Sequence, residues 1–201
     1  MSNDFNRLPP NPLPEGGGDG GSLRAQSDVE FALERPGDEF NFCPRCAAPL
    51  ATRVLGGLPR RACIAGDCGY VHWDNPAPVV AALVERDGMI VLARNHAWPE
   101  KMFGLITGFL ERDEAPEQAV AREVKEELNL DAHSVALIGV YPFQRKHEVL
   151  IVFHVEARGE IRLNEELAEF RLIAADKLRP WESGTGLAVS DWLRAKGLLS
   201  A

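Results

Sequence analysis

One stretch of the chain decides the fold: residues 108–130 read GFLERDEAPEQAVAREVKEELNL. Pro116 can occupy the first turn of a helix, because the amide that proline lacks has no partner there. Asn129 stands after the last periodic position, and asparagine tolerates the left-handed backbone that ends many helices. The stretch therefore predicts a helix over residues 116–128.

The predicted helix has an apolar stripe beside an acidic face. Val120, Val124 and Leu128 recur at every fourth residue, so they can pin the helix to a sheet. Three carboxylates fall on one face within a single turn, at i, i+3 and i+4. They are Glu123, Glu126 and Glu127. Hard oxygen ligands at this spacing are what Mg²⁺ or Mn²⁺ prefers, although a Glu-rich turn taken alone is more often solvated helix surface.

The residues before the acidic face complete a longer pattern. Gly108 is followed by five residues and Glu114, then by seven residues and Arg122, which directly precedes the acidic turn. The pattern resembles the Nudix box, with Asn129 where the family has glycine. Asparagine can serve the same helix-ending geometry. The resemblance implies an α/β (α+β) Nudix-type sandwich, in which a mixed sheet lies between helices.

The resemblance also implies roles for individual residues. Glu123, Glu126 and Glu127 would bind the catalytic cations, and the Gly108 carbonyl would add a ligand. Arg122 would brace the loop by contacting Glu114, which is otherwise an ordinary carboxylate at a helix start. In such a site the cations neutralise a diphosphate and activate a water molecule.

The general base varies within the family, and two glutamates are candidates here. One is Glu127. The other is Glu166, in the segment NEELAEFR at residues 164–171, which is similar to the stretch where some relatives place an additional glutamate. Glu165 and Glu169 are then plain loop charges.

Strand signals surround the box. Apolar runs at residues 79–84 and 89–93 flank Asp87-Gly88, which indicates a hairpin. Further strands are expected at residues 135–140, 149–155 and 170–173, and a short helical turn at 176–178. A terminal helix is expected over residues 187–196, with four buried positions: Leu187, Ala188, Trp192 and Leu193.

Four cysteines form two close pairs, Cys43-Pro-Arg-Cys46 and Cys63-Ile-Ala-Gly-Asp-Cys68, with sixteen residues between the pairs. Each pair can direct two thiolates at one tetrahedral Zn²⁺, and four protein ligands leave no open position for chemistry. The metal would supply the folding energy that a module of about 30 residues lacks. We therefore expect a structural zinc ribbon, and we expect His72 to pack rather than bind the metal.

A ribbon ahead of the box resembles the Nudix enzymes of the NADH pyrophosphatase type. The NADH-specific members carry Ser-Gln-Pro-Trp-Pro-Phe-Pro shortly after the box, whereas residues 139–148 read GVYPFQRKHE. The resemblance therefore implies cleavage at a pyrophosphate and leaves the substrate open among FAD, ADP-ribose, NAD(H) and dinucleoside polyphosphates, with NAD-capped RNA more remote.

Four aromatic residues are candidates for the substrate pocket. Tyr141 and Phe143 can stack on a base or belong to the core. Trp98 and Phe103 precede the box, where relatives often build the ligand pocket.

The whole chain has 201 residues and a formal net charge of −8. We expect a disordered Gly/Pro-rich tail at 1–40, a zinc ribbon at 41–75 and a Nudix hydrolase domain at 76–201. The acidic balance disfavours a nucleic-acid partner and suits a small nucleotide bound through cations. No apolar run is long enough to span a membrane, and we expect a cytoplasmic protein.

Two further expectations concern assembly and class. A homodimer is carried over from relatives, with no supporting surface in the sequence. The alternative to an enzyme is a nucleotide-sensing or nucleic-acid-binding protein on the same scaffold. The three intact glutamates disfavour that alternative.

Overall fold

A computed structural model describes residues 40–199 and divides the chain into two compact units, with the boundary between Trp73 and Asp74. The predicted tail of residues 1–40 lies, except for Phe40, outside the described residues. No helix within residues 40–199 is both long and apolar enough to cross a membrane.

The first unit contains a three-stranded antiparallel sheet: β1 (Leu50–Leu55), β2 (Leu58–Cys63) and β3 (Val71–His72). The β1–β2 turn is made by Gly56 and Gly57, whose φ angles of 61° and 80° favour glycine. Its apolar centre is small and includes Cys43 and Cys63.

The second unit is built around a six-stranded mixed sheet. Its elements are β4 (Ala77–Arg86), β5 (Met89–Asn95), β6 (Ile106–Phe109), α1 (Pro116–Leu128), β7 (Asp131–Phe143), β8 (Glu148–Arg158), β9 (Leu167–Ala174) and α2 (Gly186–Ala195). The strand order is β7-β8-β4-β5-β9, and β6 pairs with β4. The β4–β8 pair is parallel, and the other pairs are antiparallel.

Alternation along β4 shows why the sheet is covered on both faces. Val80, Ala82 and Val84 belong to the core that contains the buried residues of α1. Their neighbours Val79, Ala81 and Leu83 belong to the core that contains the buried residues of α2. Successive strand residues point to opposite faces, so the sheet lies between the two helices. The predicted fold class is confirmed.

Helix α1 occupies the predicted residues. Val120, Val124 and Leu128 are fully buried, and Asn129 has φ 59°, in the left-handed region. The Gln118 side chain accepts a hydrogen bond from the Ala115 amide (3.1 Å), which supplies a partner at the N-terminus.

Other elements match the predictions with different bounds. Asp87 and Gly88 make the β4–β5 turn with φ angles of 51° and 75°. Strand β7 spans 13 residues rather than the six expected. It is an edge strand with many exposed positions, so its apolar pattern marks only its middle. The predicted burial of Leu187 is wrong: it is 40% exposed, and Val189 is buried instead.

Candidate active site

The acidic face of α1 packs against β6 at Gly108. The Glu123 and Glu126 side chains are 13% and 56% exposed, and the Glu127 residue is 8% exposed. A Cβ atom built on Gly108 would lie 1.9 Å from the Glu123 carboxyl carbon. Any larger residue at position 108 would therefore displace the Glu123 carboxylate.

Arg122 connects this face to the loop before the helix. Its Nε donates to Glu114 Oε1 (2.9 Å) and its Nη2 to Glu114 Oε2 (3.1 Å), a two-bond contact that fixes orientation. Its Nη1 donates to Glu123 (2.6 Å) and Glu126 (3.0 Å). The bond to Arg122 is the main reason that the pKa of Glu114 is lowered. The structure thus contains the expected contact between Arg122 and Glu114.

Glu127 is the buried carboxyl of the cluster. Burial is the main cause that raises its pKa to about 8, and the charges of Glu123, Glu166 and Glu126 add to the effect. Burial also raises the pKa of Glu123, against the effect of Arg122. Within residues 40–199, Glu127 has neither a hydrogen-bond nor an ion-pair partner at its carboxylate. A divalent cation would compensate this crowding of negative charge, so the residues fit one.

The loop that carries Glu166 is hydrogen-bonded to the C-terminal end of α1. The Arg162 amide donates to the Leu128 carbonyl (3.0 Å), and the Asn164 amide donates to the Glu127 carbonyl (3.2 Å). The Asn164 side chain in turn accepts from the Glu166 amide (3.1 Å). Glu166 is exposed and is close enough for its charge to raise the pKa of Glu127.

The two neighbouring glutamates are placed differently, and the interpretation of Glu169 as a loop charge is wrong, because it lies on β9. Glu165 is exposed, and Glu169 forms an ion pair with Arg94 (3.3 Å). Neither charge is among the causes of the raised Glu127 pKa.

A cavity of ≈ 570 Å³ lies on the α2 face of the sheet. Thr107 lines it, and the next residue, Gly108, faces the acidic helix. Three of the four aromatic candidates line the cavity: Trp98, Phe103 and Phe143. The fourth, Tyr141, does not. Its ring packs in the α2 core and its hydroxyl donates to Asp191 on α2 (2.8 Å).

The cavity also contains residues that the sequence did not single out. They are Trp181, Ser183 and Thr185 from the segment before α2, and the cations Lys101, Arg145 and Lys146. Arg145 and Lys146 lie two and three residues after Phe143, in the stretch that departs from the NADH-specific run. That departure was the one feature of the sequence that could have drawn attention to Arg145 and Lys146.

The four cysteines of the first unit lie together, and their Sγ atoms are all within 4.8 Å of one another. The Cys43–Cys68 and Cys46–Cys63 Sγ atoms are 3.6 and 3.5 Å apart. A disulfide needs about 2.0 Å, whereas thiolates around one tetrahedral zinc with bonds of about 2.3 Å are about 3.8 Å apart. The cluster therefore fits one metal ion.

The pKa values of these thiols are shifted in different directions, since that of Cys43 is lowered whereas those of Cys46, Cys63 and Cys68 are raised. Burial opposes ionisation of Cys43, but hydrogen bonds from the Arg45 and Cys46 amides lower its pKa to about 7. His72 does not belong to the cluster, and its ring stacks on Phe40 with centroids 4.3 Å apart.

Sequence comparison gives consistent relatives. A model of the NUDIX domain matches residues 75–192. The chain is 32% identical, over 70% of its length, to an NAD-capped RNA hydrolase NudC of Stutzerimonas stutzeri. It is 34% identical, over 71% of its length, to the protein of that name from Mycobacterium bovis. These matches cover 50% and 47% of the relatives, so the chain spans about half the length of the curated relatives it matches.

Solved structures agree. A NUDIX hydrolase from Nitrosomonas europaea superposes with a TM-score of 0.64 at 26% identity, over 78% of this chain and 93% of that one. An ADP-ribose pyrophosphatase from Streptococcus suis has a TM-score of 0.50 at 20% identity, over 61% of this chain and 92% of that one, and shows the shared fold alone.

Proposed function

The chain belongs to the Nudix family, and from this premise we propose that it hydrolyses the pyrophosphate bridge of a nucleoside diphosphate derivative. The observation that carries the proposal is the acidic face of α1 packed against Gly108, one residue from a cavity-lining position. We place the phosphates of the substrate at the acidic face, and we propose that its nucleoside occupies the cavity, which Thr107 of β6 lines.

We assign the catalytic cations to Glu123, Glu126, Glu127 and the Gly108 carbonyl. This oxygen donor set suits Mg²⁺ or Mn²⁺. When bound, such ions neutralise the diphosphate and lower the pKa of a bound water molecule. Arg122 and Glu114 hold the helix against the preceding loop, so the ligands keep their positions.

We assign the role of general base to Glu166. Glu127 is enclosed by Glu123 and Glu126 on the helix face, which suits a ligand. Glu166 is exposed on a loop beside it, where a carboxylate can accept a proton from the attacking water. Glu127 is the other candidate.

The cavity supports a nucleoside-containing substrate. Its volume falls within the range of about 300–1,000 Å³ that is usual for small-molecule sites. The rings of Trp98, Phe103 and Phe143 offer surfaces on which a base can stack. FAD, ADP-ribose, NAD(H) and dinucleoside polyphosphates all meet this requirement. The names of the relatives add NAD-capped RNA as a second kind of substrate.

We propose that the four cysteines hold structural Zn²⁺ in a ribbon of residues 41–75, ahead of a hydrolase domain of residues 76–201. A cytoplasmic location fits these thiols, because a reducing compartment keeps them available to the metal.

Sedimentation of the purified chain would test the homodimer expected from relatives.

The test of the activity is release of nucleoside monophosphate from each candidate substrate, with Mg²⁺ or Mn²⁺ and without either. We expect metal-dependent release that Glu127→Gln abolishes. Glu117→Gln is the matched control, because Glu117 is exposed on the same helix outside the acidic cluster. Wild-type protein that binds these compounds but releases nothing would contradict the proposal and favour a nucleotide-binding protein.

A further inference from the structure

The charge of the cavity wall differs from that of the chain. The chain has a formal net charge of −8. The cavity, by contrast, is lined by three cationic side chains and one carboxylate, Glu148. The cations are Lys101, Arg145 and Lys146. Arg145 and Lys146 lie in the short helical turn Gln144–Lys146 that joins β7 to β8, and Lys101 comes from the segment between β5 and β6.

Among the residues that the structure describes, these cations have no anionic partner. Within the described residues 40–199, no ion pair is formed by Lys101, Arg145 or Lys146, although Lys146 Nζ lies 5.9 Å from the centre of the Phe143 ring. Some arginines elsewhere in the second unit do have carboxylate partners: Arg94 pairs with Glu169, and Arg194 with Asp191. Uncompensated positive charge at an aromatic cavity favours an anionic ligand group.

The anionic group that these cations would bind is separate from the diphosphate that is cleaved. The acidic helix faces Gly108 on the α1 side of the sheet, whereas the cations line a cavity on the α2 side. The scissile phosphates belong at the acidic face, so the cations are left for another part of the substrate. Ser183 and Thr185 add hydroxyl groups to the same cavity.

We propose that Lys101, Arg145 and Lys146 select substrates that carry a phosphoryl group beyond the pyrophosphate that is cleaved. The inference rests on the proposed hydrolase function and narrows its substrate class. The group is a phosphomonoester on the nucleoside ribose or an additional unit of a longer phosphate chain. Both present the same charged oxygens to lysine and arginine.

Two matched pairs of compounds test the selection. NADP⁺ differs from NAD⁺ by a ribose phosphomonoester, and diadenosine tetraphosphate differs from diadenosine diphosphate by a longer phosphate chain. We expect kcat/KM to be higher for the more phosphorylated member of at least one pair by about tenfold or more, the scale of one charged hydrogen bond. The pair that shows the preference identifies where the phosphoryl group is attached.

Variants assign the preference to the cations. Arg145→Ala with Lys146→Ala should reduce the ratio of the two kcat/KM values toward one, and Arg145→Lys should retain most of it. Lys177→Ala is the matched control, because Lys177 is exposed and does not line the cavity. It should leave the ratio unchanged. Thermal unfolding of each variant confirms that it is folded.

Binding separates this inference from the proposed hydrolysis. Quenching of Trp98 and Trp181 fluorescence measures affinity for each compound without turnover. A preference in binding but no hydrolysis would overturn the proposed function and support the selection. Equal constants within both pairs, or a preference that the Arg145 and Lys146 double variant retains, would overturn the selection.

Discussion

Glu127 combines burial with negative neighbours. It is 8% exposed and lies on the same helical turn as Glu123 and Glu126. Its pKa of about 8 follows from that environment. A protonated carboxyl is acceptable to the fold without metal, whereas the ionised form required of a ligand is costly there.

This carboxyl gives the metal-free protein a pH-dependent stability. The pKa rises from 4.5, the ordinary value for a glutamate, to about 8 in the folded state. The folded protein therefore keeps a proton that the unfolded chain releases, and this contribution to the unfolding free energy falls as the pH rises through that interval. Urea unfolding without added Mg²⁺ or Mn²⁺ should show a smaller decline for Glu127→Gln than for wild type. Parallel declines would contradict the prediction.

Separate substitution of the two candidate bases by glutamine distinguishes their roles. Glu166→Gln should lower kcat by roughly 10²–10⁴-fold and leave the half-saturating metal concentration near its wild-type value. Glu127→Gln should abolish activity by weakening the binding of the metal. The assignment would be reversed by a Glu166→Gln enzyme with wild-type kcat and a Glu127→Gln enzyme that binds metal normally and turns over slowly.

Gly108 gives a steric test of the same cluster. In Gly108→Ala the added methyl would lie 1.9 Å from the Glu123 carboxyl carbon, so the carboxylate must move. We expect weaker Mn²⁺ binding by calorimetry and a large loss of activity. Gly66→Ala is the control, because nothing lies within 4 Å of its added methyl. Unchanged Mn²⁺ affinity in Gly108→Ala would show that the strand yields instead.

The sequence was informative about the acidic cluster and less so about the cavity, for a physical reason. Glu123, Glu126 and Glu127 share one helical turn, so their spacing alone predicts a common face. The cavity is assembled from segments far apart in sequence, such as residues 98–107, 143–150 and 181–185. No local periodicity relates Lys101 to Trp181. Tyr141 and Phe143 both lie on β7 and pack against the α2 core, and nothing in their local sequence indicates that only Phe143 lines the cavity.

At the scale of elements, the bounds of α1 are set by the residues at its two ends. Asn129 at φ 59° stops the helix, and its side chain donates to the Glu160 carbonyl (3.3 Å) of the loop that leads to Glu166. Bounds were predictable where a residue imposes a backbone conformation, as at Pro116, Asn129 and Asp87-Gly88. They were less predictable for β7, an edge strand with few buried positions.

Asn129 also gives a prediction for stability. Asn129→Ala should lower the free energy of unfolding by about 1–2 kcal/mol, because a Cβ-bearing residue without a polar side chain is strained in the left-handed region. Asn129→Gly, the residue that the family box has here, should cost less. Urea denaturation of both variants checks the order, which would be wrong if the alanine variant were the more stable.

At the scale of the molecule, the two units depend on different sources of stability. The second has two apolar cores, one on each face of its sheet. The first has a small core in which Cys43 and Cys63 are two of the buried members. A unit of that size needs a metal or another cross-link to fold.

Removal of the ribbon metal should therefore unfold the first unit. We expect one zinc per chain by atomic absorption, and loss of NMR dispersion for residues 40–73 when Cys46→Ser removes a ligand. The oxygen donors proposed as metal ligands in the second unit suit a different class of ion, so the NMR dispersion of that unit serves as the internal reference. A folded first unit with four reduced thiols and no metal would contradict the prediction.

Hydrolysis as proposed requires that this chain direct water to a phosphorus atom of a pyrophosphate bridge. Its most direct test is turnover in ¹⁸O-labelled water, with the phosphate products analysed by mass spectrometry. We expect one ¹⁸O atom in one of the two phosphate products, only with Mg²⁺ or Mn²⁺, and none with Glu127→Gln. Intact substrate after prolonged incubation with metal, or products without the label, would contradict it.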